Sequence, residues 1–147
     1  MSDERDVVER LRGDLAAFQS RTKGWLHECL GQRIATARDE STFRFLEEAM
    51  ELAQAEGLTR ADMAKVADYV FGRDVGETAQ EVGGVMVTLA ALCWNAGLSL
   101  HDAAWTEMER VERPEVMAKV RAKQDAKSAA GMSPALANPE DCAQGAE

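Results

Sequence analysis

Proline is absent from the first 113 residues of this chain, whose three prolines are Pro114, Pro134 and Pro139. Proline fixes φ and removes a backbone donor, so its absence leaves this long segment free to form helices. Stretches in which Val, Ile and Thr alternate with polar residues, the pattern of a β-strand, are also missing. The sequence therefore predicts an all-α fold, a helical bundle of four to five main helices.

Length and composition indicate how the chain is divided. It has 147 residues, of which 46% are hydrophobic and 29% charged, values typical of one water-soluble domain with a hydrophobic core. From Ser128 onward the sequence turns to Ala, Gly, Ser, Pro and Asn, with few large apolar residues. We predict one all-α domain over residues 1–127 and a disordered tail over residues 128–147.

Charge and hydropathy exclude several classes of partner. The 26 acidic and 17 basic side chains give a net charge of −9, which opposes binding to a nucleic acid polymer. The N-terminus, MSDERDVVERLRGD, lacks the apolar run of a signal peptide. The most apolar stretch, residues 82–97, is shorter than the roughly 20 residues that span a bilayer. We therefore expect a cytoplasmic protein that binds neither nucleic acid polymers nor membranes.

Glycines and capping residues predict where the first helices begin and end. The first helix should start near residue 3, break near residues 22–24 and stop at Gly31. The Ser41 hydroxyl is placed to cap a second helix, and Gly57 lies where a C-terminal glycine belongs.

Similar signals divide the second half of the chain. Thr59 with Asp62, and Ser99 with Asp102, resemble capping boxes. Pro114 suits the first turn of a final helix. Together these signals predict three helices after Gly57 and before residue 114, and one beyond it.

Three acidic residues share one face of the second predicted helix. Because a helix turns about 100° per residue, Glu47, Glu48 and Glu51 fall within an arc of about 100°. Like charges at this spacing cost about 0.2–0.5 kcal/mol per pair, and a cation between them would reverse that cost. Carboxylate oxygens suit Mg²⁺, Mn²⁺ or Ca²⁺ rather than zinc. A plainer alternative is that Arg44 pairs with Glu48 on a solvated helix face.

A fourth acidic residue begins the most apolar helix. Residues 77–95 are apolar on nearly every side, which predicts a helix at the centre of a bundle. Because an unpartnered buried charge is costly, Glu81 should face a cation, a basic side chain or the positive end of its helix. Gly83 and Gly84 each cost about 1 kcal/mol relative to alanine inside a helix. Either a close approach of another helix or room for a ligand beside Glu81 would explain them.

A basic cluster follows Pro114, and Lys119, Arg121 and Lys123 belong to it. These side chains can contact phosphate oxygens through charge-assisted hydrogen bonds. The alternative is an ordinary solvated helix face.

At FRFLEEAMELAQA and QEVGGVMVTLAALCWNAGLSL the chain resembles the MazG-like superfamily of all-α nucleoside triphosphate pyrophosphohydrolases. The resemblance covers about residues 18–127. One helix of that family carries an E-E-x-x-E pattern, matched by Glu47, Glu48 and Glu51. The next major helix carries E-x-x-D, and Glu81 matches its first residue. Gly84 stands where the family has the aspartate, so one expected metal ligand is missing.

The resemblance implies hydrolysis of a nucleoside triphosphate, ribo or deoxyribo, to the monophosphate and pyrophosphate. It also implies a homodimer or homotetramer. The cofactor it implies is Mg²⁺, with Mn²⁺ as a substitute. The implied roles are cation binding by Glu48, Glu51 and Glu81, positioning or deprotonation of the attacking water by Glu47, and phosphate contact by Lys119, Arg121 and Lys123.

Two other functions stay open at this point. Gly84 motivates a catalytically impaired nucleotide-binding or regulatory module of the same fold. A purely structural helical oligomer, in which the acidic residues form a solvated face, is the third hypothesis.

Overall fold

The computed structural model describes residues 3–133. Within that range every regular element is an α-helix, which confirms the all-α prediction. There are six helices rather than four to five, because each glycine or capping signal between residues 57 and 114 ends one helix or starts the next. The helices are α1 (Glu4–Ala35), α2 (Arg38–Ala55), α3 (Arg60–Phe71), α4 (Thr78–Ala96), α5 (Leu100–Val111) and α6 (Pro114–Ala129).

Local signals mark the starts of three helices as predicted, with side-chain caps for α3 and α5 and a proline for α6. The Asp62 amide donates to the Thr59 hydroxyl at 3.2 Å, and the Thr59 amide donates to the Asp62 carboxylate at 3.0 Å. The Asp102 amide donates to Ser99 Oγ at 3.2 Å before α5. Pro114 occupies the first turn of α6, where its missing N–H costs nothing.

Glycines in the left-handed region end two helices, at Gly57 as predicted and also at Gly97. Gly57 has φ 93° after α2, and Gly97 has φ 69° after α4. The next amides then turn back to the helix: Leu58 donates to the Ala53 carbonyl at 3.0 Å, and Leu98 donates to the Cys93 carbonyl at 2.8 Å. Other residues adopt this conformation at a cost, so glycine is favoured at both positions.

Two predictions in the first half are wrong. Ser41 does not cap α2, because its amide already donates to the Ala37 carbonyl at 3.1 Å inside the helix. α1 does not break at residues 22–24, where the Thr22 hydroxyl bonds the Phe18 carbonyl within the helix. The break falls instead at Gly31 (φ 75°, ψ 165°), after which the helix resumes for one turn.

The chain divides into two compact units. The terminal unit combines the two ends of the chain, and its described residues are 3–41 and 105–133. The central unit is Thr42–Ala104. The single all-α domain over residues 1–127 stays a prediction.

The terminal unit is held by contacts between α1 and the last two helices. The Phe18 and Trp105 rings meet edge to face at 5.4 Å between centroids, a favoured aromatic geometry. The Trp25 indole N–H donates to the Val111 carbonyl at 2.9 Å. The buried apolar side chains of this unit are Cys29, Ile34, Met108 and Met117.

Order extends past the predicted start of the tail. α6 continues to Ala129, and Ser133 is buried. The Ser133 hydroxyl donates to the buried Glu40 carboxylate at 2.7 Å and accepts from the Gln124 amide at 2.9 Å. The prediction of a disordered segment is therefore wrong for residues 128–133, because this polar network holds them. Its remainder, residues 134–147, lies outside the described residues.

No single helix among residues 3–133 meets the length and hydropathy test for crossing a bilayer. α4 and α5 pass that test only as a pair, bent by 101°.

Candidate functional site

The four acidic residues of the predicted site all belong to the central unit. Glu47, Glu48 and Glu51 lie on α2, and Glu81 lies in the first turn of α4. α2 has apolar side chains on two roughly opposite sides, and the three glutamates occupy the strip between them. Each apolar side forms one wall of an open groove.

The α2–α4 groove has a volume of about 510 Å³, and Glu48 lies at its edge. Its other polar group is the Thr88 hydroxyl, which donates to the Gly84 carbonyl at 2.9 Å. The apolar lining consists of Phe45, Ala49, Leu52, Ala53, Val85, Leu89 and Leu92.

The α2–α3 groove has a volume of about 460 Å³ and contains Glu47 and Glu51. It also includes Arg60, the first residue of α3, whose exposed guanidinium has no ion-pair or hydrogen-bond partner among residues 3–133. The remaining lining residues are Phe43, Leu46, Met50, Gln54, Leu58 and Met63. A cation beside an apolar wall suits a ligand that is anionic at one end and apolar at the other. Arg60 was not identified from the sequence, because the capping box around it indicates a helix start and not a binding site.

The grooves separate the acidic residues that the sequence places on one face. Glu48 lines the α2–α4 groove, whereas Glu47 and Glu51 line the α2–α3 groove. Over the described part of the chain, no three His, Cys, Asp or Glu side chains come together closely enough to hold a metal ion. The ligand set of Glu48, Glu51 and Glu81 stays a prediction.

The carboxylates of Glu48, Glu51 and Glu81 are exposed and have no hydrogen-bond or ion-pair partner in residues 3–133. The pairing of Arg44 with Glu48, which offered a plainer explanation, is therefore not formed. Glu48 and Glu51 are one turn apart, so their mutual repulsion is not relieved by a nearby base. Three carboxylates are thus left without a partner among the described residues.

The start of α4 assigns different roles to its two glutamates. Glu77 caps the helix, accepting from the Gln80 amide at 3.0 Å. Hydrogen bonds from the Ala79 and Gln80 amides lower the pKa of the Glu77 carboxyl. Glu81 instead reaches back over Gly76, where an added Cβ would overlap its carboxylate. Glu77 is thus held by its own helix, while Glu81 remains available.

The expectation that α4 lies buried at the centre of a bundle is wrong for the described chain, because none of its residues is buried. The space around the two glycines of α4 is also empty. A Cβ built on Gly83 or Gly84 meets no other atom within 4 Å. No helix of the described chain therefore makes the close approach that these glycines suggested.

Helical geometry places these glycines on different sides of α4. Gly84 lies three residues after Glu81 and shares its side of the helix, whereas Gly83 points about 100° away from Gly84. Gly84 thus belongs with the acidic group and Gly83 with another surface.

The three predicted phosphate contacts, Lys119, Arg121 and Lys123, lie on α6 in the terminal unit. The Arg121 guanidinium donates to the Cys29 carbonyl at 2.8 Å and to the Glu28 carbonyl at 3.1 Å. The nearby break at Gly31 interrupts the helical ladder that would otherwise engage these carbonyls. Arg121 thus has a structural contact, and phosphate contact by this group stays a prediction.

Replacing Arg121 tests that structural role. Arg121→Gln should lower the free energy of unfolding by about 1–3 kcal/mol, because it removes charged hydrogen bonds to two carbonyls. Lys119→Gln, an exposed change on the same helix, should alter it by less than about 0.5 kcal/mol. Urea denaturation followed by circular dichroism measures both. Equal stability of the two variants would show that the contact with α1 contributes little.

Comparison with known proteins adds no assignment. The chain matches no protein-family model, no curated protein and no solved structure.

Proposed function

We propose that this protein is a Mg²⁺-dependent nucleoside triphosphate pyrophosphohydrolase that resembles the MazG-like superfamily. It would convert ribo- or deoxyribonucleoside triphosphates to monophosphates and pyrophosphate. The observation that carries this proposal is the set of Glu48, Glu51 and Glu81, three exposed carboxylates without partners among residues 3–133. These same residues match the family's acidic pattern. We place the activity in the cytoplasm and in a homodimer or homotetramer.

In this proposal Glu48, Glu51 and Glu81 hold the cation, for which Mn²⁺ can substitute. When bound, Mg²⁺ neutralises phosphate charge and lowers the pKa of a coordinated water. Glu47 would accept the proton of the attacking water as the water oxygen bonds to the α-phosphorus and the bond from that phosphorus to the bridging oxygen breaks. Pyrophosphate leaves with the electron pair of that bond.

The α2–α3 groove offers a place for the nucleotide beside these acidic residues. Phe43 and Met50 provide an apolar wall against which a nucleobase can pack. Arg60 provides a guanidinium for a phosphate oxygen. Arg60 is thus a further candidate for phosphate contact, and it belongs to the same unit as the acidic residues.

Gly84 favours a second candidate, a nucleotide-binding or regulatory module that does not hydrolyse its ligand. The family's fourth carboxylate is absent at that position, and open space surrounds the glycine. Such a module would bind a nucleoside triphosphate through a cation held by the remaining three carboxylates and release the nucleotide unchanged.

Incubation of the full chain with each ribo- and deoxyribonucleoside triphosphate, with Mg²⁺ or with a chelator, tests the proposal. We expect Mg²⁺-dependent release of pyrophosphate and the matching monophosphate from at least one substrate. Release of orthophosphate instead would contradict cleavage between the α- and β-phosphates. Calorimetric binding of a nucleotide without any product would favour the second candidate.

A further inference from the structure

The residues that line the α2–α3 groove follow a definite order along α2. Phe43, Glu47, Glu51 and Gln54 are spaced four, four and three residues apart, so they form one strip along the helix that faces the groove. At about 1.5 Å per residue, Phe43 and Gln54 are about 16 Å apart along the helix axis. The two glutamates lie between them. The groove therefore has two distinct ends, with carboxylates in the middle.

Arg60 lies at the same end of the groove as Gln54. α2 ends one residue after Gln54, and the Leu58 amide then donates back to the Ala53 carbonyl at 3.0 Å. The chain thus reverses direction in this turn, and Arg60 begins α3 beside the end of α2. We call this the Arg60 end of the groove and the opposite one the Phe43 end.

Charge distinguishes the two ends. Of the described residues that line the groove, only Arg60 is cationic, and its guanidinium has no ion-pair or hydrogen-bond partner among residues 3–133. Asp62 does not neutralise it, because the Asp62 carboxylate accepts from the Thr59 amide at 3.0 Å and from the Thr59 hydroxyl at 2.6 Å. Phosphate oxygens would therefore meet an unpaired guanidinium at the Arg60 end and no cationic lining residue at the Phe43 end.

The substrate class of the proposed function has a linear order of its own. The base and sugar precede the α-phosphate, and the β- and γ-phosphates follow it. Because water attacks the α-phosphorus, that phosphate must lie beside Glu47, in the middle of the groove. The base and the terminal phosphates must then occupy opposite ends. Apolar side chains line both ends, so charge rather than hydropathy decides the direction.

We propose that the nucleotide lies in the α2–α3 groove with its base against Phe43 and its β- and γ-phosphates at Arg60. This inference rests on the proposed function and adds the direction in which the substrate lies. The Phe43 side chain is 59% exposed, which leaves its ring open to a base. The groove volume of about 460 Å³ falls within the range of small-molecule sites, about 300–1,000 Å³.

This direction makes Arg60 a residue that determines specificity. A guanidinium can donate two parallel hydrogen bonds to phosphate oxygens. In the proposed direction it holds the two phosphates that leave as pyrophosphate, and a nucleoside diphosphate lacks one of them. Arg60 should therefore favour triphosphates over diphosphates.

The two halves of the substrate test the direction separately, by calorimetry of the full chain with Mg²⁺. The probes are inorganic pyrophosphate and each ribo- and deoxyribonucleoside monophosphate. Arg60→Gln should weaken pyrophosphate binding about tenfold or more and leave monophosphate binding unchanged. Phe43→Ala should do the reverse, weakening monophosphate binding about fivefold or more.

Two further variants control for charge. Arg73→Gln removes the same charge from an arginine that stacks on Tyr69 beyond the end of α3, and it should change neither affinity. Arg60→Lys keeps the charge but loses the paired geometry, so it should restore part of the pyrophosphate affinity.

The reverse pattern, in which Arg60→Gln weakens monophosphate binding and Phe43→Ala weakens pyrophosphate binding, would overturn the proposal. So would a wild type that binds neither half, or Arg60→Gln and Arg73→Gln proteins with equal pyrophosphate affinity. The expected pattern without cleavage of any triphosphate would support the direction and contradict the pyrophosphohydrolase activity. If triphosphates are cleaved but Arg60→Gln leaves the ratio of kcat/KM for triphosphate and diphosphate unchanged, the activity stands and this inference fails.

Discussion

Glu48→Gln combined with Glu51→Gln should reduce Mg²⁺-dependent pyrophosphate release by at least about a hundredfold. Replacing even a residue that hydrogen-bonds to a metal ligand typically lowers metal affinity or activity by about 10–100-fold, and these two residues are the proposed ligands themselves. Both side chains are exposed and without partners among residues 3–133, so replacing them removes no described contact. Relief of their repulsion should stabilise α2 slightly, by about 0.2–0.5 kcal/mol. Activity and stability should therefore change in opposite directions, which a loss of folding would not produce.

A pyrophosphate assay measures activity, urea denaturation measures stability, and isothermal titration calorimetry with Mg²⁺ measures cation affinity. A matched control is Glu56→Gln with Asp68→Asn, which removes two negative charges from exposed positions of the same unit. The control should keep both Mg²⁺ affinity and activity. If the Glu48 and Glu51 changes have no more effect than the control, these residues form a solvated face and the structural oligomer becomes the better hypothesis.

Glu47→Gln separates catalysis from cation binding in the same assay. If Glu47 accepts the proton of the attacking water, its replacement should lower kcat while leaving Mg²⁺ affinity near that of the wild type. Glu47→Gln should thus lower kcat alone, whereas the Glu48 and Glu51 changes should lower Mg²⁺ affinity as well.

Local signals in the sequence predict helix ends where the cause is itself local. The Thr59–Asp62 capping box and the positive φ of Gly97 follow from a few adjacent residues. The position of the break in α1 does not follow from adjacent residues. Arg121, far away in sequence, donates to the Glu28 and Cys29 carbonyls beside the break at Gly31. No local pattern contains that contact.

The candidate site shows the same limit. Helical periodicity predicts that Glu47, Glu48 and Glu51 share a strip of α2. It does not predict that α3 and α4 lie on opposite sides of that strip and distribute the three residues between two grooves. Likewise, the apolar composition of α4 indicates that its side chains should be buried, but it does not identify the surface that would bury them. The residues described here do not bury it.

Gly84→Asp should increase Mg²⁺ affinity by about tenfold or more, because it adds a fourth carboxylate on the Glu81 side of α4. A Cβ built on Gly84 lies in open space, with no other side chain or neighbouring helix within 4 Å. Without Mg²⁺ the added repulsion from Glu81 should cost about 0.2–0.5 kcal/mol. With Mg²⁺ that cost should be reversed, so the thermal midpoint of the variant should rise more steeply with Mg²⁺ concentration than that of the wild type.

Gly84→Asn provides the matched control, since it has nearly the same shape as aspartate but no charge. Equal Mg²⁺ affinities of the Asp and Asn variants would show that residue 84 does not face the cation. Turnover then separates the two functional candidates. If the wild type binds nucleotides without cleaving them and Gly84→Asp releases pyrophosphate, Gly84 is the reason that the natural protein does not hydrolyse its ligand. If the wild type already hydrolyses its substrate, three carboxylates suffice and the aspartate should change cation affinity more than kcat.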